Sequence, residues 1–281
     1  MKTSLSLALA LSISVINTST HAASLGTAPK PTSKSNTEVV LVSEVKWEKL
    51  NPARGDKSPQ AGTLWGNRMG STPTGFLAKF VDGFSSPPHI HPITYRAVVI
   101  SGGIHNDDPD AAKMWMSPGS FWTQPKGEVH ITAAKGNHNI ALVEIDKAPY
   151  LVRSFKEAFD SKERPVNIDA SNIVWTDLPS MPSSTKGPKI AYLWGKLQEG
   201  ESNGTFIKLP AGFNGKITSH GSTFRAVVIK GQPQYLGTAV KTLDPGSYFG
   251  STGEATHPIS SSKDNESIIY IRTNGKYKIT S

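Results

Sequence analysis

Three histidines carry the spacing of a metal site. His89 and His91 stand two residues apart in Pro87-Pro88-His89-Ile90-His91, and His130 ends the segment that begins at Gly119 and runs through Pro125 and Gly127. Alternate residues of a strand share a face, so His89 and His91 point one way and Ile90 the other. Gly127 supplies the backbone freedom for a tight turn and Pro125 fixes the approach, which delivers His130 onto a neighbouring strand. Three imidazoles meeting in the mouth of a β-barrel suit a divalent first-row ion. They also leave coordination positions open, as catalytic sites do and closed structural sites do not. The spacing therefore predicts one divalent first-row metal on His89, His91 and His130.

Tyr95 joins this group as a catalytic candidate. On period-two counting it shares the inward face with His89 and His91. Two roles stay open for it. The hydroxyl donates a hydrogen bond or a proton to a metal-bound ligand, or the ring fills the core as Phe224 does in the second half of the chain.

Other chemistry is excluded. The 281 residues include no cysteine, which removes disulfides, thiol nucleophiles, iron–sulfur clusters and Cys-type zinc sites. There is no Gly-x-Ser-x-Gly elbow, phosphate-binding loop or dinucleotide fingerprint, so serine hydrolases and nucleotide enzymes are poor fits. Arg96 and Arg225 recur in both halves, as do Glu128 and Glu254, which reads as structural pairing. His105, followed by Asn106-Asp107-Asp108-Pro109-Asp110, and His138, between two Asn, read as loop residues.

The elements that position these residues occur twice. Leu64–Gly102 aligns without a gap to Leu193–Gly231, with fifteen identities over thirty-nine positions. Thr94-Tyr95-Arg96-Ala97-Val98-Val99-Ile100 matches Thr223-Phe224-Arg225-Ala226-Val227-Val228-Ile229, and further on His130 falls on His257. The repeat is domain-sized, far longer than a solenoid unit. Short apolar or alternating runs separated by Gly, Pro, Asn and Asp predict an all-β fold, a sandwich, barrel or jelly roll, with Trp65, Met114, Trp115, Met116 and Trp122 filling it. The second copy has Thr218 where the first has His89, and keeps His220 and His257. Two imidazoles without a third rarely hold a metal, so that copy reads as a structural partner with a degenerate site.

The N-terminus predicts export. Lys2, the apolar run Leu5–Ile16 and the small residues Thr20 and Ala22 read as a Sec-type signal peptide over residues 1–22, cleaved near Ala22, and so as a periplasmic or secreted protein. The apolar run is too short for a permanent span, so no stable membrane insertion is expected. Residues 23–36 read as a flexible tether, 37–160 as an N-terminal, metal-binding domain and 161–281 as a C-terminal one. Three of the charges behind the formal net +8, those of Lys2, Lys30 and Lys34, precede residue 37. The rest are scattered, with no basic run, which argues against nucleic acid. The expected partner is a small-molecule substrate or ligand, and a homodimer is compatible with the sequence.

The paired motifs resemble those of the cupin superfamily. Gly83, His89, His91 and Gly102 follow its first motif, and Gly119, Pro125, Gly127 and His130 match its second in full. Both halves carry the likeness, so the chain resembles a bicupin, and its Tyr-Arg-Ala-Val-Val-Ile-Ser-Gly strand is similar to an uncharacterised two-cupin family, domain of unknown function 4437. The resemblance implies two tandem double-stranded β-helix (jelly-roll) barrels with one divalent metal ion on the motif side chains, Fe, Zn, Mn, Ni and Cu all being open. It also implies a Glu ligand at position 95 or 96, where this chain has Tyr95 and Arg96. The implied set is then three neutral His, similar to thiol dioxygenases and the diketone-cleaving dioxygenase. Without a ligating carboxylate the ion keeps its full charge, which favours an anionic or chelating substrate. The activity implied is oxidoreductase, dioxygenase-like chemistry on a small molecule; the alternative is a non-catalytic cupin that binds or senses a small molecule or metal.

Overall fold

The computed structural model describes residues 36–147, 149–178 and 186–281. The expected signal peptide and the tether up to residue 35 lie outside the described residues. Strands β1 (Asn36–Val40), β2 (Trp47–Lys49), β3 (Gln60–Trp65), β4 (Thr74–Phe80) and β5 (His89–Ile90) come first. They are followed by β6 (Tyr95–Asp107), β7 (Phe121–Gln124), β8 (Ile131–Ile145), β9 (Arg153–Ser154) and β10 (Val166–Ile168). The second half contributes β11 (Thr176–Asp177), β12 (Lys189–Gly195), β13 (Asn203–Leu209), β14 (Asn214–Ser219), β15 (Thr223–Lys230) and β16 (Gln234–Leu236). It ends with β17 (Val240–Thr242), β18 (Tyr248–Thr252), β19 (Ala255–Ser260), β20 (Ser267–Thr273) and β21 (Tyr277–Thr280). The described helices are short 3-10 turns, as the turn-rich, non-helical pattern predicts.

One seven-stranded sheet runs β10-β7-β6-β8-β4-β3-β2 and a second runs β1-β18-β15-β20-β13-β12-β11. Sheet membership crosses the midpoint of the sequence. β1, from the start of the described chain, pairs with β18, and β10 pairs back onto β7. Each barrel therefore carries an edge strand contributed from outside its own repeat.

The run Ala97-Val98-Val99-Ile100 has no polar face because β6 is buried on both sides. Tyr95, Ala97 and Val99 face the interior of the first barrel with Trp122, Val143 and Met116. Val98 and Ile100 face outward, into a core shared with Val227, Ile229, Tyr248 and Tyr270 of the second copy. Each such Val or Ile removed from water contributes about 1.5–3 kcal/mol, so the interface between the copies is a hydrophobic core in its own right. Polar groups close it: Arg272 pairs with Glu144 at 3.2 Å and Asp146 at 2.7 Å, while Arg96 pairs with Asp146 at 2.9 Å and covers the Trp194 ring. Burial would raise the Asp146 pKa, but Arg272 and Arg96 outweigh it and hold the carboxyl below its usual value. The recurrent arginines pair structurally, as expected, with Arg225 on Glu38 and the Tyr248 hydroxyl.

His105 and His138 are not loop residues. Both lie in strands, in β6 and β8, which pair along their length from Tyr95↔Ile145 to Asp107↔Ile131. Register shifts between Val99 and Gly103 let the hairpin bend and continue through Ser101-Gly102-Gly103. Gly102 sits at φ 75, and a Cβ there would meet Asn139 Oδ1 at 2.0 Å. In the second copy the corresponding positions divide into separate strands of two sheets, β15 with β16 and β19 with β20.

Candidate metal centre

His89 and His130 face each other across two antiparallel segments. Each backbone N–H donates to the other residue's carbonyl, at 3.1 and 3.0 Å, which fixes the two side chains on one face. His91, two residues on, shares that face. The predicted turn is present: Gly127 takes φ 76, and its N–H donates to the His91 carbonyl at 2.8 Å, holding the loop that carries His130 against the strand that carries His91. The structure thus brings all three predicted ligands together, buried, with one ligand atom from each within 4.8 Å of the others.

Every imidazole is oriented through its Nδ1. Pro87 O lies 2.9 Å from His89 Nδ1, Leu151 O 2.7 Å from His91 Nδ1 and Glu128 O 3.2 Å from His130 Nδ1. A carbonyl only accepts, so each Nδ1 carries the proton and each Nε2 keeps a free lone pair. Burial, reinforced by the proximity of the other imidazoles, pushes the His91 pKa down to about 3 and that of His130 well below its usual value. Burial lowers His89 as well. At neutral pH the cluster is three neutral nitrogen donors needing no deprotonation to bind a cation. The donor set fits a divalent ion.

Two tyrosines flank the donors. Tyr95 Oη lies 3.5 Å from His130 Nε2, and Tyr150 stacks on the His91 ring with its Oη 3.4 Å from His91 Nε2. Burial pushes the Tyr95 pKa up to about 12, so its hydroxyl is protonated at neutral pH. Where that proton goes follows from a chain of bonds. Gln124 Nε2 donates to the Glu128 carbonyl at 3.3 Å, the atom that also holds His130 Nδ1. This orients the Gln124 amide so that its Oε1 accepts from Asn106 Nδ2 at 2.9 Å. Asn106 Oδ1 then accepts from Tyr95 Oη and from Thr132 Oγ1, both at 2.8 Å. Tyr95 spends its hydrogen on Asn106 and turns oxygen lone pairs toward the histidines. As a resting hydrogen-bond donor to the centre it is therefore misdirected; as an acceptor it is well placed.

Sequence reasoning missed Asn106, Gln124 and Tyr150. Asn106 is paired with Thr132, and Gln124 with Tyr95, by strand register alone. Tyr150 follows β8 with no motif to mark it.

The same elements build no such centre in the second copy. His257 is buried with both nitrogens engaged, Nδ1 3.0 Å from Tyr235 Oη and Nε2 3.1 Å from Ser251 Oγ, and Phe224 stacks on its ring. His220 is exposed and pairs with Glu254 at 3.0 Å. Among the described residues the His89–His91–His130 group is the one cluster of three metal-ligating side chains, and no helix is long and apolar enough to cross a membrane.

A cavity of about 390 Å³ reaches this centre at His89 and is lined as well by Tyr95, Trp122, Tyr150 and Phe84 among others. That is within the size range of small-molecule sites.

Comparison with known proteins agrees with this architecture. Solved structures similar to the chain include a Nostoc punctiforme protein described as a candidate dioxygenase, with 12% identity over 85% of this chain and 83% of that one and a TM-score of 0.66. Salicylate 1,2-dioxygenase of Pseudaminobacter salicylatoxidans aligns at 12% identity over 91% of each chain, with a TM-score of 0.57. Lactobacillus farciminis oxalate decarboxylase aligns at 13% identity over 89% of each chain, with a TM-score of 0.54. At these identities the likeness is one of fold. No curated protein matches the sequence. Residues 38–280 match the family described as Domain of unknown function (DUF4437). The chain has the two-barrel fold of the bicupins and belongs to the DUF4437 family.

Proposed function

We propose that this chain is an exported bicupin that holds one divalent metal ion on His89, His91 and His130 and carries out dioxygenase-like oxidation of a small molecule. The observation that carries the reading is the common orientation of the three imidazoles: each Nδ1 on a carbonyl, which leaves the Nε2 lone pair as the donor, and one ligand atom from each ring within 4.8 Å of the others. An ion held there supplies Lewis acidity and, as iron, the means to activate dioxygen. The chain's own residues do the rest. The Pro87, Leu151 and Glu128 carbonyls fix the imidazole rings, and Phe80, Phe84 and Trp122 give the adjoining cavity apolar walls. Tyr95 and Tyr150 set a phenol oxygen beside the donor atoms, with Tyr95 accepting a hydrogen bond from whatever small ligand occupies the centre. With no ligating carboxylate, the uncompensated charge favours an anionic or chelating substrate.

The reading is tested by loading the purified protein with ferrous iron and measuring oxygen uptake with panels of thiols and dicarbonyls. Uptake with at least one panel, lost in His91→Ala, is expected. Iron bound stoichiometrically with no uptake from either panel would overturn the dioxygenase assignment in favour of a receptor. For export, the protein recovered from the periplasm is expected to begin at Ala23; recovery there with Met1 retained would contradict the cleaved signal.

A further inference from the structure

The cavity that His89 lines, beside the histidine cluster, is chemically graded from floor to rim. Its floor is buried and includes His89, Tyr95, Trp122 and Val143; its rim is exposed and includes Leu50, Arg54 and Val152. Phe80 and Phe84 form the wall between them. Two donors in this lining lack a partner. The Trp122 indole N–H is buried in the floor with no acceptor in good hydrogen-bond geometry, the Tyr95 hydroxyl being the polar group beside it. At the rim, no carboxylate among the described residues pairs with Arg54, whose guanidinium lies 5.4 Å from the centre of the Phe84 ring. Arg54 is placed there by the 3-10 segment Pro52–Lys57, which Pro52 opens and in which Gly55 takes φ 55.

An unpaired buried N–H is costly unless something fills it. A guanidinium beside low-dielectric walls attracts anions more strongly than one on open surface, and its fork matches a carboxylate. We propose that the cavity takes an apolar carboxylic acid that carries a hydroxyl or carbonyl oxygen at the end opposite its carboxylate. The carboxylate pairs with Arg54 at the rim, the hydrocarbon lies against Phe80 and Phe84, and the oxygen end accepts from Trp122 beside His89. This names the substrate class of the site assigned above and rests on that reading at the floor alone; the Arg54 contact is independent of metal.

The test is equilibrium dialysis of three probes: 3-(4-hydroxyphenyl)propanoate, its primary amide, and 3-phenylpropanoate. Each is dialysed against metal-free and metal-loaded protein, as wild type, Arg54→Met and Trp122→Phe. The hydroxy acid is expected to bind about fivefold more tightly than its amide in both metal states, a modest ratio because Arg54 is exposed. Arg54→Met erases that preference and leaves the amide's affinity unchanged. Trp122→Phe erases the preference for the hydroxy acid over 3-phenylpropanoate. Equal binding of acid and amide by the wild type, an acid preference that survives Arg54→Met, a hydroxyl preference that survives Trp122→Phe, or no binding of any probe at millimolar concentration overturns the proposal. Protein that takes up no metal yet keeps an Arg54-dependent acid preference refutes the metal reading alone. Metal uptake without acid preference refutes this inference alone.

Discussion

Tyr95 donates its hydroxyl hydrogen to Asn106 Oδ1 at 2.8 Å and so presents lone pairs, not a hydrogen, to His130 Nε2. The direction of that bond is set by the Glu128 carbonyl, which anchors both the Gln124 amide and the His130 ring. One backbone oxygen thus orders a metal donor and the phenol beside it.

Asn106→Leu is expected to destabilise the protein by about 3 kcal/mol, since Tyr95, Thr132 and Gln124 all lose a buried partner; Tyr95→Phe removes a single donor and should cost about 1 kcal/mol. Urea denaturation compares them. Asn106→Leu costing no more than Tyr95→Phe would refute the network.

Arg272 joins the two copies through Glu144, whose side chain is 1% exposed. Arg272→Met leaves that buried carboxylate with Arg96, 3.9 Å away, as its remaining cation, at a cost of about 3 kcal/mol. Adding Glu144→Gln should recover part of the loss by chemical denaturation. A double variant less stable than Arg272→Met itself would show that the buried carboxylate is not the source of the cost.

His257 supplies a pH dependence separate from the metal ligands. Burial lowers its pKa from 6.5 to about 4. The unfolded chain therefore takes up its proton first as pH falls. The stability held by neutral His257 is full above about 6.5, declines below it, and is lost once pH passes below about 4. The difference corresponds to about 3 kcal/mol. Between pH 7 and 4, wild type should lose about that much more stability than His257→Gln, measured by denaturant midpoints. Parallel pH profiles for the two proteins would rule this out.

The histidines were legible because their signal is local. His-x-His on a strand and Pro125-Lys126-Gly127 before Glu128-Val129-His130 encode both the ligands and the turn that delivers them. The repeat and the β class were legible for the same reason, from Thr94–Ile100 recurring at Thr223–Ile229. Asn106 was not, because its segment Asn106-Asp107-Asp108-Pro109 has the composition of a loop. Only the bend around Gly102 and the long pairing with β8 turn it inward onto Tyr95. Arg54 and Tyr150 reach the cavity from connections outside the sheets, where apposition depends on tertiary packing and leaves no period in the chain.

The central claim is that His89, His91 and His130 hold one divalent ion. Metal analysis of the purified protein, set beside a His89→Ala/His91→Ala/His130→Ala variant prepared identically, tests it most directly. The account predicts about one equivalent of a divalent first-row metal per wild-type chain and almost none in the variant. Equal metal content in the two preparations would contradict it.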